Sequence, residues 1–370
     1  MTYSGAGDPL AQGQRVVAVL ETGARTATYK LATLMALIDY SVEHLPAQPN
    51  DRLDVPLRDL AYRVIELYWH QVLPFEGRQL RQSTQPVARI LRAVEELRAA
   101  SGAARRGLAL DIVKSRAPAA FQRATESVLL TLVRQPVHRL QKLPGSTRSE
   151  PFLYDDSWIH DQVSRRTIRQ HGDVLELFHG VAYGLARLSG LLKPTLELLW
   201  VEDVRRMNRF LDEKVPDVTG HLFGRDRLSL APARSALKEA FGPVCFYCDA
   251  SLPADNPVDH VLPWARLGID GLANIVLACR RCNNSKLHSL PAVTHVDRTL
   301  SRDKSTLEQV ASSILWPTQY ERVVSAARGL YLGEPEGTPT WQGVRSTVLL
   351  DLSTYSPWWV EYTGERHLET

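Results

Sequence analysis

The 370-residue chain has four cysteines, in two pairs of the same spacing: Cys245-x2-Cys248 and Cys279-x2-Cys282. A C-x2-C turn presents two thiolates from one loop, so two such turns supply the four soft ligands of a tetrahedral Zn²⁺. With no cysteine left over, metal ligation is the stronger reading than disulfide pairing. Between the pairs lie 30 residues, more than the ~15–20 of a plain zinc ribbon, so something further is built into the gap. Its centre reads PVDHVLPW over 257–264, an acid beside an imidazole inside an apolar run. Neighbours on a strand point to opposite faces, so Asp259 and His260 would address two different sites. A carboxylate can hold a hard cation, and a neutral imidazole can take up a proton near neutral pH. An acid–histidine pair can equally be a polar spot at a surface, and its surroundings decide. Those surroundings include Asn274, Asn283 directly after the last cysteine, and Lys286.

The elements that must carry these residues fall into two parts of different character. Up to about residue 215 the apolar spacing is helical, with little strand signal. Helices are expected over 26–45, 55–73, 86–100, 118–134 and 159–170. A further helical run over 173–214 is broken by Gly180, Gly184, Gly190 and Pro194. Residues 1–18 read as loosely ordered, and 143–158 as a turn-rich break. After Arg225 the pattern changes. A short helix over 234–241 leads into a turn-rich knuckle, and NIVLACRRCNNSKL reads as a short strand running into a helix. The tail holds two helical patterns, 304–314 and 317–331, and a strand-like STVLLDL.

At this point the order CxxC, DH, Asn274, CxxC, Asn283, Lys286 is complete, and over 241–292 it resembles the HNH endonucleases of the zinc-containing ββα-metal type. The helical spacing points to a mainly α N-terminal domain (1–215) and a C-terminal helical and strand tail (301–370), and the resemblance implies a small α+β ββα-metal zinc module (216–300) between them. It implies a metal-dependent endonuclease that hydrolyses phosphodiester bonds. His260 would be the general base and Asp259 a ligand of the catalytic divalent ion, Mg²⁺ or Mn²⁺. Asn274 would fix the loop and hold the His260 ring through its carbonyl. Asn283 stands where many members carry a third histidine; its amide oxygen would be a second ligand suited to a hard ion. Cys245, Cys248, Cys279 and Cys282 would hold a separate, structural Zn²⁺. Lys286, three residues beyond Asn283 on one helix face, and Arg280 and Arg281 are expected to contact nucleic-acid phosphates. Trp264 and Pro263 are expected to pack the loop.

Charge supplies a second clue. From Arg78 to Lys142 there are thirteen basic residues against four acidic ones, a net of +9 that leaves −6 for the rest of a chain totalling +3. Arginine dominates the stretch and suits bidentate phosphate contact. No helix-turn-helix or finger pattern accompanies it. The longest apolar runs, such as VLLTLV over 128–133, are too short to span a bilayer. The start of the chain lacks a secretory pattern, so a cytoplasmic location is expected. Three functions fit these features. The first is a DNA endonuclease of a restriction or phage-defence type. The second is a toxin-like RNA nuclease using the same residues. The third is a zinc-stabilised nucleic-acid binder that no longer cuts; Asp259, His260, Asn274 and Asn283 occurring together argue against it.

Overall fold

The computed structural model describes residues 9–22, 25–102, 108–142, 151–212, 217–223, 229–353 and 356–359. The fold is mostly helical with small two-stranded antiparallel sheets. Its contacts gather into two units: Met1–Ser41 with Pro46–Arg227, and Val42–Leu45 with Leu228–Thr370. The boundary expected at 215 lies outside the described residues. Residues 301–370 share one unit with the cysteine-bearing segment.

In the first unit, burial explains the helices. Leu57–Gln71 turns Leu57, Leu60, Ala61, Val64, Ile65, Tyr68 and Trp69 inward, the i, i+3, i+4 pattern of a core-facing helix. Arg89–Ala100 buries Ile90, Leu91, Val94 and Leu97 in the same way. The core includes a buried polar cluster around Gln82. There Gln82 accepts from Trp200 Nε1 (2.7 Å) and donates to Gln71 Oε1 (3.1 Å), so the buried amide is satisfied.

Three features depart from the sequence reading. Part of the supposedly loose N-terminus, Pro9–Thr22, is a helix that buries Val16, Val19 and Leu20. Leu53–Pro56 and Val174–Leu177 form an antiparallel pair in the register Leu53↔Leu177 and Val55↔Leu175. The helix Ser189–Met207 runs through Pro194 without a break. Of the basic stretch, Arg78, Arg81, Arg89, Arg92, Lys114, Arg116, Arg123 and Arg139 are exposed. Arg98 is buried, donates to the Trp69 carbonyl (2.7 Å) and lies over the Trp69 ring. Arg105 and Arg106 lie outside the described residues.

The second unit begins with the helix Ala231–Phe241, which buries Ala233 and Leu237 and ends at Gly242 (φ 79°). A tight knuckle follows, closed by Cys245 N–H to Ala250 O (2.8 Å) and Leu252 N–H to Pro243 O (2.8 Å). Phe246 N–H donates to Leu277 O (2.8 Å) and ties the knuckle to the strand Ile275–Leu277. That strand pairs antiparallel with Val258–His260, Asp259 opposite Val276 and His260 opposite Ile275. The short helix Arg280–Lys286 comes next, completing a ββα arrangement. Helices Val293–Leu300, Lys304–Ile314 and Tyr320–Gly333 and the hairpin of Pro339–Gly343 with Ser346–Leu349 follow. One core joins knuckle, strands and tail: Leu237, Cys245, Leu252, Leu272, Ile275, Leu277, Cys282, Val310, Ala311, Trp316 and Trp341.

Candidate active site

The two knuckles bring the four cysteines into one cluster. One ligand atom from each of Cys245, Cys248, Cys279 and Cys282 lies within 4.8 Å of all the others, and the Cys248 and Cys279 sulphurs are 3.8 Å apart. Zn–S bonds of about 2.3 Å in a tetrahedron require S···S edges of about 3.8 Å. Backbone N–H groups already favour the thiolate form: Cys279 N–H points to Cys245 Sγ (3.3 Å) and Cys282 N–H to Cys279 Sγ (3.4 Å). Burial pushes the Cys245 and Cys282 thiols above their ordinary range. A dication at the centre reverses that preference by stabilising thiolates. The donor set fits zinc. Cys279 also caps the helix Arg280–Lys286, so this ligand and the start of the helix are one feature.

On the strand Val258–His260 the acid and the imidazole meet different partners, as the alternation of a strand requires. Asp259 is buried. Its Oδ2 accepts from the Tyr247 hydroxyl (2.6 Å) and faces the Lys286 ammonium (3.1 Å). Its Oδ1 has no protein partner among the described residues. Asn283, on the adjoining helix, is half-buried. Desolvation of the partly buried Tyr247 hydroxyl and the neighbouring Asp259 charge raise it well above the tyrosine range, so it donates as a neutral phenol.

Lys286 corrects the expectation drawn from its spacing. Its side chain is 0 % exposed. The ammonium bonds the main-chain carbonyl of His260 (2.7 Å) and pairs with Asp259. Burial lowers its affinity for the proton, opposed by the Asp259 charge. A lysine so enclosed fixes the strand to the helix and does not face a phosphate. Aromatic packing holds this corner. Trp341 and His295 lie 5.0 and 5.1 Å from the Tyr247 ring, and Trp341 Nε1 donates to Ser285 Oγ (3.0 Å).

Asn274 is wholly buried and bonds the loop at two places. Its Oδ1 accepts from Leu262 N–H (2.7 Å), and its amide donates to the carbonyls of Leu262 (3.0 Å) and Ile269 (3.2 Å). The ring contact expected of it is made by another residue. His260 Nε2 lies 2.9 Å from Asp270 Oδ1. Asp270 was not singled out in the sequence; the available signal was a lone acid in the otherwise apolar stretch LGIDGLAN. Tyr247 was likewise passed over, inside the first C-x2-C. Arg280 and Arg281 are exposed, and Arg280 pairs with the exposed Asp255 (2.7 Å). Trp264 packs on Gly268, where an added Cβ would lie 3.0 Å from the indole.

The loop between the strands is held from outside. Arg302, whose burial pushes it down to about 10, donates to the carbonyls of Ile275 (2.9 Å), Leu272 (3.1 Å) and Ala273 (2.7 Å). Trp316 Nε1 donates to Asp270 O (2.6 Å), Leu272 N–H to Pro317 O (3.0 Å) and Ala273 N–H to Thr318 O (3.0 Å). Gly271 is required here: a Cβ would sit 2.6 Å from Thr318 O and 2.5 Å from Gln319 Cβ.

Two family models match the chain. Residues 245–289 match the family described as HNH endonuclease. Residues 10–219 match the family described as Domain of unknown function (DUF8808). The chain matches no curated protein and no solved structure.

Proposed function

Because this chain belongs to the DUF8808 family through residues 10–219 and carries an HNH endonuclease domain near its C-terminus, we propose that it is a metal-dependent endonuclease that hydrolyses DNA in a restriction or phage-defence role. The observation that carries the reading is the Asp259–His260 pair on one strand of a ββα hairpin, each side chain with its own partner. In the reaction, the His260 imidazole takes the proton from the attacking water. Asn274 keeps the 261–262 turn, and so His260, in place. Asp259 and Asn283 would hold one Mg²⁺ or Mn²⁺, and when bound that ion supplies charge neutralisation at the scissile phosphate. Tyr247 and Lys286 fix Asp259 Oδ2 and leave Oδ1 for the ion. The cysteine cluster holds a structural Zn²⁺. Arg280 and Arg281 contact phosphate at the start of the helix.

The helical unit is the proposed duplex-holding part, through exposed basic residues such as Arg92, Lys114, Arg116 and Arg123. No described helix is long and apolar enough to cross a membrane. A cytoplasmic location remains part of the proposal. The test is cleavage of supercoiled plasmid, and in parallel of RNA, by the zinc-loaded protein with Mg²⁺ or Mn²⁺. Wild type nicks plasmid, and His260→Ala binds it without nicking. Cutting of RNA alone replaces DNA as the substrate. Binding with no cutting by wild type identifies a zinc-stabilised binding protein.

A further inference from the structure

We propose that Asp270 is the positioning residue of His260, fixing the imidazole as the tautomer with its proton on Nε2 and its lone pair on Nδ1. The inference rests on the nuclease reading for its catalytic consequence, though not for the tautomer itself. An ionised carboxylate only accepts, so a 2.9 Å contact between Asp270 Oδ1 and His260 Nε2 places the proton on Nε2. Among the described residues Nδ1 has no protein partner, which leaves its lone pair for water. Asn274 spends its side-chain bonds on Leu262 and Ile269.

The acid is built into place. Its own carbonyl accepts from Trp316 Nε1, its neighbour Gly271 seats against Thr318 and Gln319, and Arg302 ties down the next turn. An outer carboxylate of this kind sets both ring orientation and basicity. In the step, Nδ1 takes the water proton while the new P–O bond forms. The bond to the leaving oxygen breaks, and that oxygen takes a proton from solvent. The Nε2 proton stays between ring and carboxylate.

The test uses the full chain, zinc-loaded, with ring ¹⁵N shifts of His260 assigned against His260→Ala and read without a divalent cofactor. Wild type is expected to show a protonated Nε2 and an unprotonated Nδ1. The isosteric Asp270→Asn, whose amide can present either an oxygen or an NH₂, is expected to give a tautomer mixture. Its kcat for plasmid should fall ~10- to 100-fold, as when groups behind a reacting side chain are lost, with KM, zinc content and melting temperature unchanged. Asp270→Ala should fall at least as far. An unprotonated Nε2 in wild type, unchanged shifts in Asp270→Asn, or an unchanged kcat overturns the proposal. A wild type that cuts nothing sinks the nuclease reading, while the ring shifts still decide whether Asp270 sets the tautomer.

Discussion

Replacing Lys286 by methionine separates a buried strut from a surface cation. The ammonium holds the His260 carbonyl at 2.7 Å and Asp259 Oδ2 at 3.1 Å, with 0 % exposure of the lysine side chain and 11 % of the aspartate. Methionine refills most of the volume but leaves a buried carboxylate without its counter-charge and a carbonyl without its donor. Removing one member of a buried pair costs ~3–5 kcal/mol. The Tyr247 bond to the same oxygen survives, which points to the lower end, ~3 kcal/mol. At about 2–4 °C per kcal/mol for domains of this size, the second unit should melt ~6–12 °C lower. Calorimetry of the zinc-loaded chain reads this directly. In the double variant with Asp259→Asn much of the loss should return, a coupling of ~1–3 kcal/mol for groups in contact. A lysine on phosphate predicts the opposite: an unchanged melting temperature and a slope of log K against log salt shallower by about 1. That pair of results would refute the strut.

Other outcomes are equally specific. The purified chain should carry one tightly held zinc, and Cys279→Ser should lose it, removing on the order of 10 kcal/mol of binding free energy; amide exchange should show knuckles 243–252 and 278–286 losing protection first. Gly271→Ala should destabilise by ~1–3 kcal/mol through overpacking against Thr318 and Gln319, and differential scanning should register it without any change in zinc content. Arg98→Ala should lower the melting temperature of the first unit while leaving the salt dependence of DNA binding intact. Arg123→Ala should do the reverse, reducing the salt slope by about 1.

What could be read from the sequence depended on how local its cause was. The helix expected over 304–314 is found as Lys304–Ile314, because Asp303 caps it (Thr306 N–H to Oδ2, 2.7 Å) and Leu307, Val310 and Ala311 mark its buried face. The four cysteines were legible because identical short spacings build identical turns. The pair Leu53–Pro56 with Val174–Leu177 was not legible. Four residues carry no period, Asp54 and Pro56 disfavour a strand, and the partner lies far along the chain. Pro9–Thr22 reads as small and polar, and only tertiary packing of Val16, Val19 and Leu20 settles it as a helix. Lys286 was misread for a sound reason: lysine is almost never fully buried unless paired. Its pairing with Asp259 depends on a hairpin and a helix folding together. The Asp270 contact is of the same kind, because the nine residues between it and His260 form a loop whose path is set by Asn274 and by groups past residue 300.

Those distant groups bear on how this HNH domain can be handled. The recognisable motif stops at residue 289, yet the bonds that seat its loop come from Arg302, Trp316, Pro317 and Thr318, and Trp341 braces Tyr247 and Ser285. It is therefore not a portable cassette. A fragment trimmed to the signature would keep its ligands and lose its scaffolding, and a chimera would have to carry the chain onward through the hairpin at 339–349 to inherit a working geometry.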